Sequence, residues 1–233
     1  MRMEIIHDDC ARVTERLIKE GTIVDLIVTD PPYKIATAGG GLYKQDDKRY
    51  VKNLKSMSNG FSQTILDQLV ALQKGRINMY FFCSQNQILP LLKYFVDNKK
   101  CNYNILSWHK TNPVPACGNK YLTDTEYILF FRSKGVKVYG EYKTKKTYYV
   151  SPLNVKDKKK WGHSTIKPLN IVENLIINSS LIGDTVYDPF LGSGTTGVAS
   201  MKLYRKFIGA EINEKYYNTA IKRIKLEGGA NIE

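Results

Sequence analysis

Two short stretches of the sequence bring together residue types that can do chemistry. In Asp30-Pro31-Pro32-Tyr33 the prolines fix φ and remove two N–H donors, so neighbouring carbonyls meet no competing local donor. Asp30 adds a carboxylate acceptor and Tyr33 an aromatic face. Two acceptors beside one ring suit a planar group bearing an –NH2. The plainer reading of such a tetrapeptide is a proline-stiffened turn with a capping Asp.

The second stretch, Thr185-Val-Tyr-Asp-Pro-Phe-Leu-Gly-Ser-Gly-Thr-Thr-Gly197, reads as strand, tight turn and helix. Gly192, Gly194 and Gly197 have GxGxxG spacing, and Glu211 follows Gly192 by 19 residues, as in a dinucleotide fingerprint. The glycines let a ligand approach the backbone, and the helix start offers N–H groups to an anion. Glu211 can accept from two ribose hydroxyls. Asp188, four residues before Gly192, faces the place where pyrophosphate charge would gather, which is unfavourable. A ligand with an amino-acid end and a cationic centre is better tolerated, and S-adenosylmethionine has both. The glycine motif alone leaves a nicotinamide or flavin oxidoreductase open, as well as a plain turn with no ligand.

Both stretches need a scaffold. Short apolar runs predict strands at 3–7, 23–29, 77–83, 104–109, 125–131, 185–187 and 206–210. Helical patterns lie at 10–20, 61–74, 85–99, 168–181, 195–203 and 213–226. The alternation predicts an α/β fold, a three-layer Rossmann-like sandwich with a mostly parallel sheet of about seven strands. Ligands then sit at the carboxyl ends of the strands. A hydrophobic content of 42% supports one core, so residues 1–233 read as a single domain. The connections 34–60, 110–124 and 134–162 are too long or too polar for simple turns.

The chain carries 35 Lys+Arg against 22 Asp+Glu, a formal charge of +13. Residues 34–55 hold +4 and residues 134–160 hold +7, so the rest is nearly neutral. Lys34, Lys44, Lys48 and Arg49 stand in the first segment. Lys143, Lys145, Lys146, Lys158, Lys159 and Lys160 stand in the second, with Tyr139, Tyr142, Tyr148, Tyr149 and Trp161 as stacking surfaces in or beside it. The pattern predicts a polyanion held by two inserted basic loops, 34–60 and 134–162. Solvated lysine-rich loops are the plainer alternative. The acidic N-terminus lacks the apolar run of a signal peptide, and no stretch approaches the ~18 apolar residues of a membrane span. Cys10, Cys83, Cys101 and Cys117 form no CxxC pair, so reduced structural thiols and no metal are expected.

The order of the motifs makes a resemblance specific. Asp30-Pro-Pro-Tyr33 followed by Asp188-Pro-Phe-Leu-Gly-Ser-Gly194 resembles the S-adenosylmethionine-dependent DNA amino-methyltransferases that make N6-methyladenine or N4-methylcytosine. With the catalytic motif first, it resembles their permuted β group, over nearly the whole chain. Ser107-Trp-His-Lys-Thr-Asn-Pro113 and Asp124-Thr-Glu-Tyr-Ile-Leu129 resemble that family's later sheet motifs. His7-Asp-Asp-Cys10 resembles the segment against the cofactor adenine, implying Asp9 and Cys10 as contacts. His163-Ser-Thr-Ile-Lys-Pro168 resembles the His-Pro-Thr-Gln-Lys-Pro segment near the methionine carboxylate, implying His163, Thr165 and Lys167. The implied catalytic set is Asp30, Pro31, Pro32 and Tyr33. Asp30, Asp188, Phe190, Gly192, Ser193, Gly194, Thr195, Thr196 and Glu211 complete the implied cofactor set.

The resemblance implies methyl transfer from S-adenosylmethionine to the N6 amine of a flipped adenine in double-stranded DNA. Asp at position 30 leans toward adenine, because many cytosine enzymes of the family carry Ser there. The motif order favours DNA over an RNA base or a glutamine amide. A non-catalytic DNA-binding partner is a further alternative. A homodimer and a separate restriction endonuclease are compatible with this reading, and the cytoplasmic nucleoid is the expected location, with no membrane partner.

Overall fold

The most apolar runs become the centre of the sheet. β2 (Leu26–Thr29) and β3 (Asn78–Cys83) are buried at every position, as suits parallel strands covered on both faces. The computed structural model describes residues 3–31, 62–113, 115, 119, 121–163 and 165–229. Its other strands are β1 (Met3–Ile6), β4 (Asn102–Lys110), β5 (Thr125–Arg132), β6 (Tyr148–Ser151), β7 (Thr185–Asp188) and β8 (Lys206–Ala210). They lie in the order β1-β8-β7-β2-β3-β5-β4-β6, and every pairing is parallel except the two made by β5.

Helices cover both faces. α1 (Cys10–Lys19), α2 (Gln63–Leu72) and α3 (Gln85–Leu92) bury Val13, Leu17, Leu69 and Leu91 in a core built on Ile27, Met79 and Phe81. The opposite face is covered after the short α4 (Val155–Trp161) by α5 (Leu169–Ser179), α6 (Thr195–Lys202) and α7 (Glu214–Gly228). There Ile171, Leu175, Val198 and Ile224 pack with Val28, Tyr80 and Phe207. The helix expected over 85–99 changes ladder: α3 contains Pro90, which lacks an N–H, and continues as a π-helical turn over Lys93–Asn98. That turn carries Phe95, which stacks on Phe131 at 4.4 Å and meets Phe81 at 5.3 Å.

The eighth strand, β6, arises inside the segment 134–162 expected as a loop. Its Tyr-Tyr-Val-Ser run pairs in parallel with the outer edge of β4 and alternates in exposure, and the Trp108 indole N–H donates to Ser151 at 2.8 Å. A β-prone run among lysines was the sequence signal for it. Among the described residues no helix is long and apolar enough to cross a membrane.

The topology fixes where a site can form. From β2 the chain moves outward through α2 to β3, whereas from β7 it moves the other way through α6 to β8. The β2–β7 junction is therefore the switch point, where a crevice opens at the carboxyl ends of the strands. Because β5 runs against its neighbours, its first residues stand at that same edge. Phe95→Ala is expected to lower the free energy of unfolding by about 3–5 kcal/mol in urea denaturation, by emptying the aromatic cluster away from that crevice.

Candidate active site

Two carboxylates meet at the switch point. Asp30 follows β2 and Asp188 ends β7. Asp188 is only 3% exposed and accepts from the Phe190 N–H at 3.1 Å. Burial pushes its carboxyl up to about 7; the Thr196 hydroxyl and the Phe190 N–H pull the other way, and the Asp30 charge adds to the rise. The Asp30 side chain keeps 24% exposure, with Oδ2 2.7 Å from Lys167 Nζ. Pro31 is buried behind it.

Lys167, 5% exposed, belongs to a row of four charged groups. Its ammonium also lies 3.0 Å from Glu126 Oε2 and 5.4 Å from the centre of the Phe82 ring. Glu126 Oε1 takes Lys110 Nζ at 2.9 Å. Burial opposes the Lys167 charge, but Asp30 and Glu126 outweigh it and hold its pKa above the usual lysine value. Burial likewise opposes the Glu126 charge, and Lys167 and Lys110 hold its pKa below the usual carboxylate value. Neither Glu126 nor Lys110 stood out as a site residue in the sequence. The available signal was a charge at the start of the otherwise apolar β5 run.

The glycine loop is held from two sides. The Gly192 N–H donates to Glu211 Oε2 and the Asn213 N–H to Glu211 Oε1, each at 2.8 Å. Burial raises the Glu211 carboxyl, and these N–H groups oppose the rise. Arg223, fully buried on α7, donates from Nη1 to Ser193 Oγ at 3.1 Å and to Thr195 Oγ1 at 2.9 Å. Arg223 is a third residue that did not stand out in the sequence; it sits at a core position of the helix, between Ala220 and Ile224. Gly194 has φ of +81° and backs onto Ala220, where a Cβ would stand 3.1 Å from the alanine methyl. His163 stacks obliquely on Tyr216 at 4.4 Å and accepts from the Thr165 N–H at 3.2 Å. Burial, then the charges of Lys167, Arg223 and Lys158, push the His163 imidazole down to about 4, so it is neutral near pH 7.

These groups fit S-adenosylmethionine. Gly192 has φ of +54°, and a Cβ there would fill the gap to His163, coming within 3.2 Å of Nε2. The Glu211 carboxylate accepts from the Gly192 and Asn213 N–H groups, with the Ile212 N–H also beside it. A carboxylate has about four acceptor positions, which leaves capacity for a ribose hydroxyl. Asp188 disfavours phosphate and suits an ammonium.

The remaining expected residues divide. Asp9 caps α1, with Oδ1 accepting from the Ala11 N–H at 2.9 Å. The Cys10 thiol is a core group, pushed up to about 12 by burial. Cys83 and Cys101 are also buried free thiols. Pro32, Tyr33, Lys34, Lys44, Lys48 and Arg49 lie outside the described residues, as does Cys117. The second basic segment is split by the fold. Thr144 exchanges hydrogen bonds with Asn178 in the last turn of α5, and the carbonyl of the adjoining Ser179 accepts from Asn78 at the start of β3. That end of α5 lies roughly 15 Å from Lys167, at 1.5 Å per helical residue. Lys143 and Lys145 flank Thr144 and are exposed near that end of α5, whereas Lys146 leads into β6, with its ammonium 6.0 Å from the centre of the Tyr148 ring and beside the middle of β4. Lys158, Lys159 and Lys160 on α4 lie on the site's side. Lys160 pairs with Glu227 at 2.7 Å, while half-buried Lys158 is lowered by burial, with Glu126, Lys167 and Lys110 as its charged neighbours.

Comparison with known proteins matches residues 24–222 to a family of N6/N4 methyltransferases described as DNA methylase. The chain belongs to the N6/N4 DNA methylase family. The methylase is 29% identical to Type II methyltransferase M2.DpnII of Streptococcus pneumoniae, over 99% of this chain and 92% of that protein. It is 29% identical to Type II methyltransferase M.HinfI of Haemophilus influenzae, over 95% of this chain and 68% of that one. The structure of the M1.HpyAVI complex with S-adenosylmethionine matches with a TM-score of 0.70 and 28% identity, covering 95% and 99% of the two chains. The cytosine-N4-specific PvuII methyltransferase, at 15% identity and a TM-score of 0.71, shares the fold. The methylase thus carries S-adenosylmethionine-dependent DNA methylation, which removes the oxidoreductase alternative.

The buried Asp188 gives the methylase a pH signature without cofactor. Its folded pKa of about 7 stands above the ordinary 3.8, so between these values the folded state binds more protons and stability falls as pH rises. Asp188→Asn removes this slope. Its stability relative to the parent is expected to increase from pH 4 to pH 7 in urea titrations, and then to level off.

Proposed function

We propose that this methylase modifies the exocyclic N6 amine of adenine in double-stranded DNA. The observation that carries the reading is Asp30, a partly open carboxylate at the switch point, beside the cofactor loop and with one oxygen already on a buried ammonium. S-adenosylmethionine supplies a methyl group on a positively charged sulfur. Glu211 accepts from its ribose, Asp188 balances its ammonium, and Asp9 serves the adenine amine.

The target amine is a weak nucleophile because its lone pair is shared with the ring. Asp30 and the Pro31 carbonyl accept its two N–H bonds, draw the nitrogen toward a tetrahedral shape and stabilise the positive charge that grows on it. Tyr33 stacks on the base. Direct attack needs no covalent enzyme intermediate, and fixed placement supplies much of the rate. A paired base cannot reach the crevice, so the base is flipped, at a cost of a few kcal/mol.

Lys158 and Lys159 on α4 support phosphate contact on the side of Asp30, and the segment 34–60 is proposed as the other contact. The Type II names of the relatives support a place in a restriction–modification pair whose nuclease is a separate polypeptide, acting on nucleoid DNA in the cytoplasm. A homodimer is compatible with this arrangement.

Three measurements test the reading. Nucleoside mass spectrometry of treated duplex DNA is expected to show N6-methyladenine; N4-methylcytosine would overturn the adenine assignment. Asp30→Ala is expected to lose at least about 10³-fold in transfer rate while S-adenosylmethionine affinity changes little. Alanine at Lys158 and Lys159 is expected to weaken DNA binding and flatten its salt dependence by about 0.9 per lost phosphate contact. Alanine at Lys143 and Lys145 is expected to leave both nearly unchanged.

A further inference from the structure

The family resemblance puts Lys167 beside the methionine carboxylate, but two protein carboxylates already engage its ammonium. Nζ lies 2.7 Å from Asp30 Oδ2 and 3.0 Å from Glu126 Oε2, and the side chain is almost wholly buried. A buried ammonium is stable only where carboxylates and hydrogen bonds replace water. Two carboxylates answer this need, and the second, Glu126, is itself fixed by Lys110, whose side chain is only 10% exposed. The four groups come from four places: the end of β2, the start of β5, the end of β4 and the segment before α5. Two positive and two negative charges balance, so the row is neutral as it stands. A cofactor carboxylate at Lys167 would add a third negative charge to it.

We propose that Lys167 is a positioning residue for the Asp30 carboxylate, held in place by Glu126 and Lys110, and not a ligand of the cofactor. By committing Oδ2 to the protein, the ammonium sets the plane of the carboxylate, and the target amine meets an acceptor of fixed orientation. Glu126 and Lys110 act one and two steps further back. The inference rests on Asp30 accepting from the amine.

The test separates the two roles of Lys167 in the full-length enzyme. S-adenosylmethionine dissociation constants and single-turnover transfer rates, at saturating cofactor and DNA, are measured for the parent, Lys167→Met, Lys167→Arg and Glu126→Gln. Lys167→Met is expected to slow transfer about 10²-fold, the cost of a misplaced reacting group, with cofactor affinity within about threefold of the parent. Lys167→Arg is expected to recover part of the rate, and Glu126→Gln to slow transfer about tenfold with cofactor affinity unchanged. A Lys167→Met enzyme with parental transfer rate at saturation, whether or not its cofactor affinity falls, would overturn the inference. Should Lys167→Met fail to fold in thermal melts, Glu126→Gln and Lys110→Met decide: slower transfer at unchanged affinity supports it, and parental rates sink it. A parent enzyme that methylates a different base removes the adenine assignment alone, because the same comparison is then read on that base. An active Asp30→Ala enzyme removes the reading of Asp30 on which the inference stands.

Discussion

A lysine ammonium shut away from water dictates much of this architecture. Its partners must arrive from separate strands, so the ends of β2 and β4 and the beginning of β5 have to share one edge of the sheet. A wholly parallel sheet would put the start of β5 at the other edge. The reversed strand is thus what brings Glu126 to Lys167 and, through it, braces the carboxylate that follows β2. The pre-proline backbone serves the same end, since Asp30 is followed by residues that cannot donate from nitrogen.

The cofactor half is organised by α7. Its small residues and Ile224 accept the glycine loop at close range, and Arg223 ties the loop by its Ser193 and Thr195 side chains. Arg223 also donates from Nε to Glu227 at 2.9 Å, and Glu227 accepts from Lys160 at 2.7 Å and from the Trp161 indole at 3.2 Å. One acid on α7 therefore links the glycine loop to the basic helix α4. The glycine loop and the basic helix are thus parts of one hydrogen-bonded unit.

Much of this was legible in the sequence because the signals are local. Periodic apolar runs located the central strands and the two helical layers, and the tight turn at Gly192–Gly194 announced itself by residue type. The paired carboxylates at 30 and 188 were legible as chemistry but not as neighbours; 158 residues separate them, and only sheet order brings them together. Glu126, Lys110 and Arg223 escaped notice because a charge inside an apolar pattern has no meaning until its partner is known. The lysine-rich segment was legible only as charge for a related reason. Its charge adds up along the chain, whereas the Asn178 contact and the strand β6 spread it along the outer edge of the sheet.

The strand order also has a bearing on how the chain acquires its shape. β1 and β2 are made first, yet their sheet neighbours on one side are β8 and β7, made last. During synthesis from the N-terminus, β1 waits for a partner and β2 keeps one edge open until nearly the whole polypeptide has emerged. Pairings this distant in sequence make for slow folding, and unpaired strand edges are templates for aggregation. The early part of the molecule thus exposes strand edges that β7 and β8 cover only at the end, and methyl-transfer competence is among the last properties the nascent protein gains.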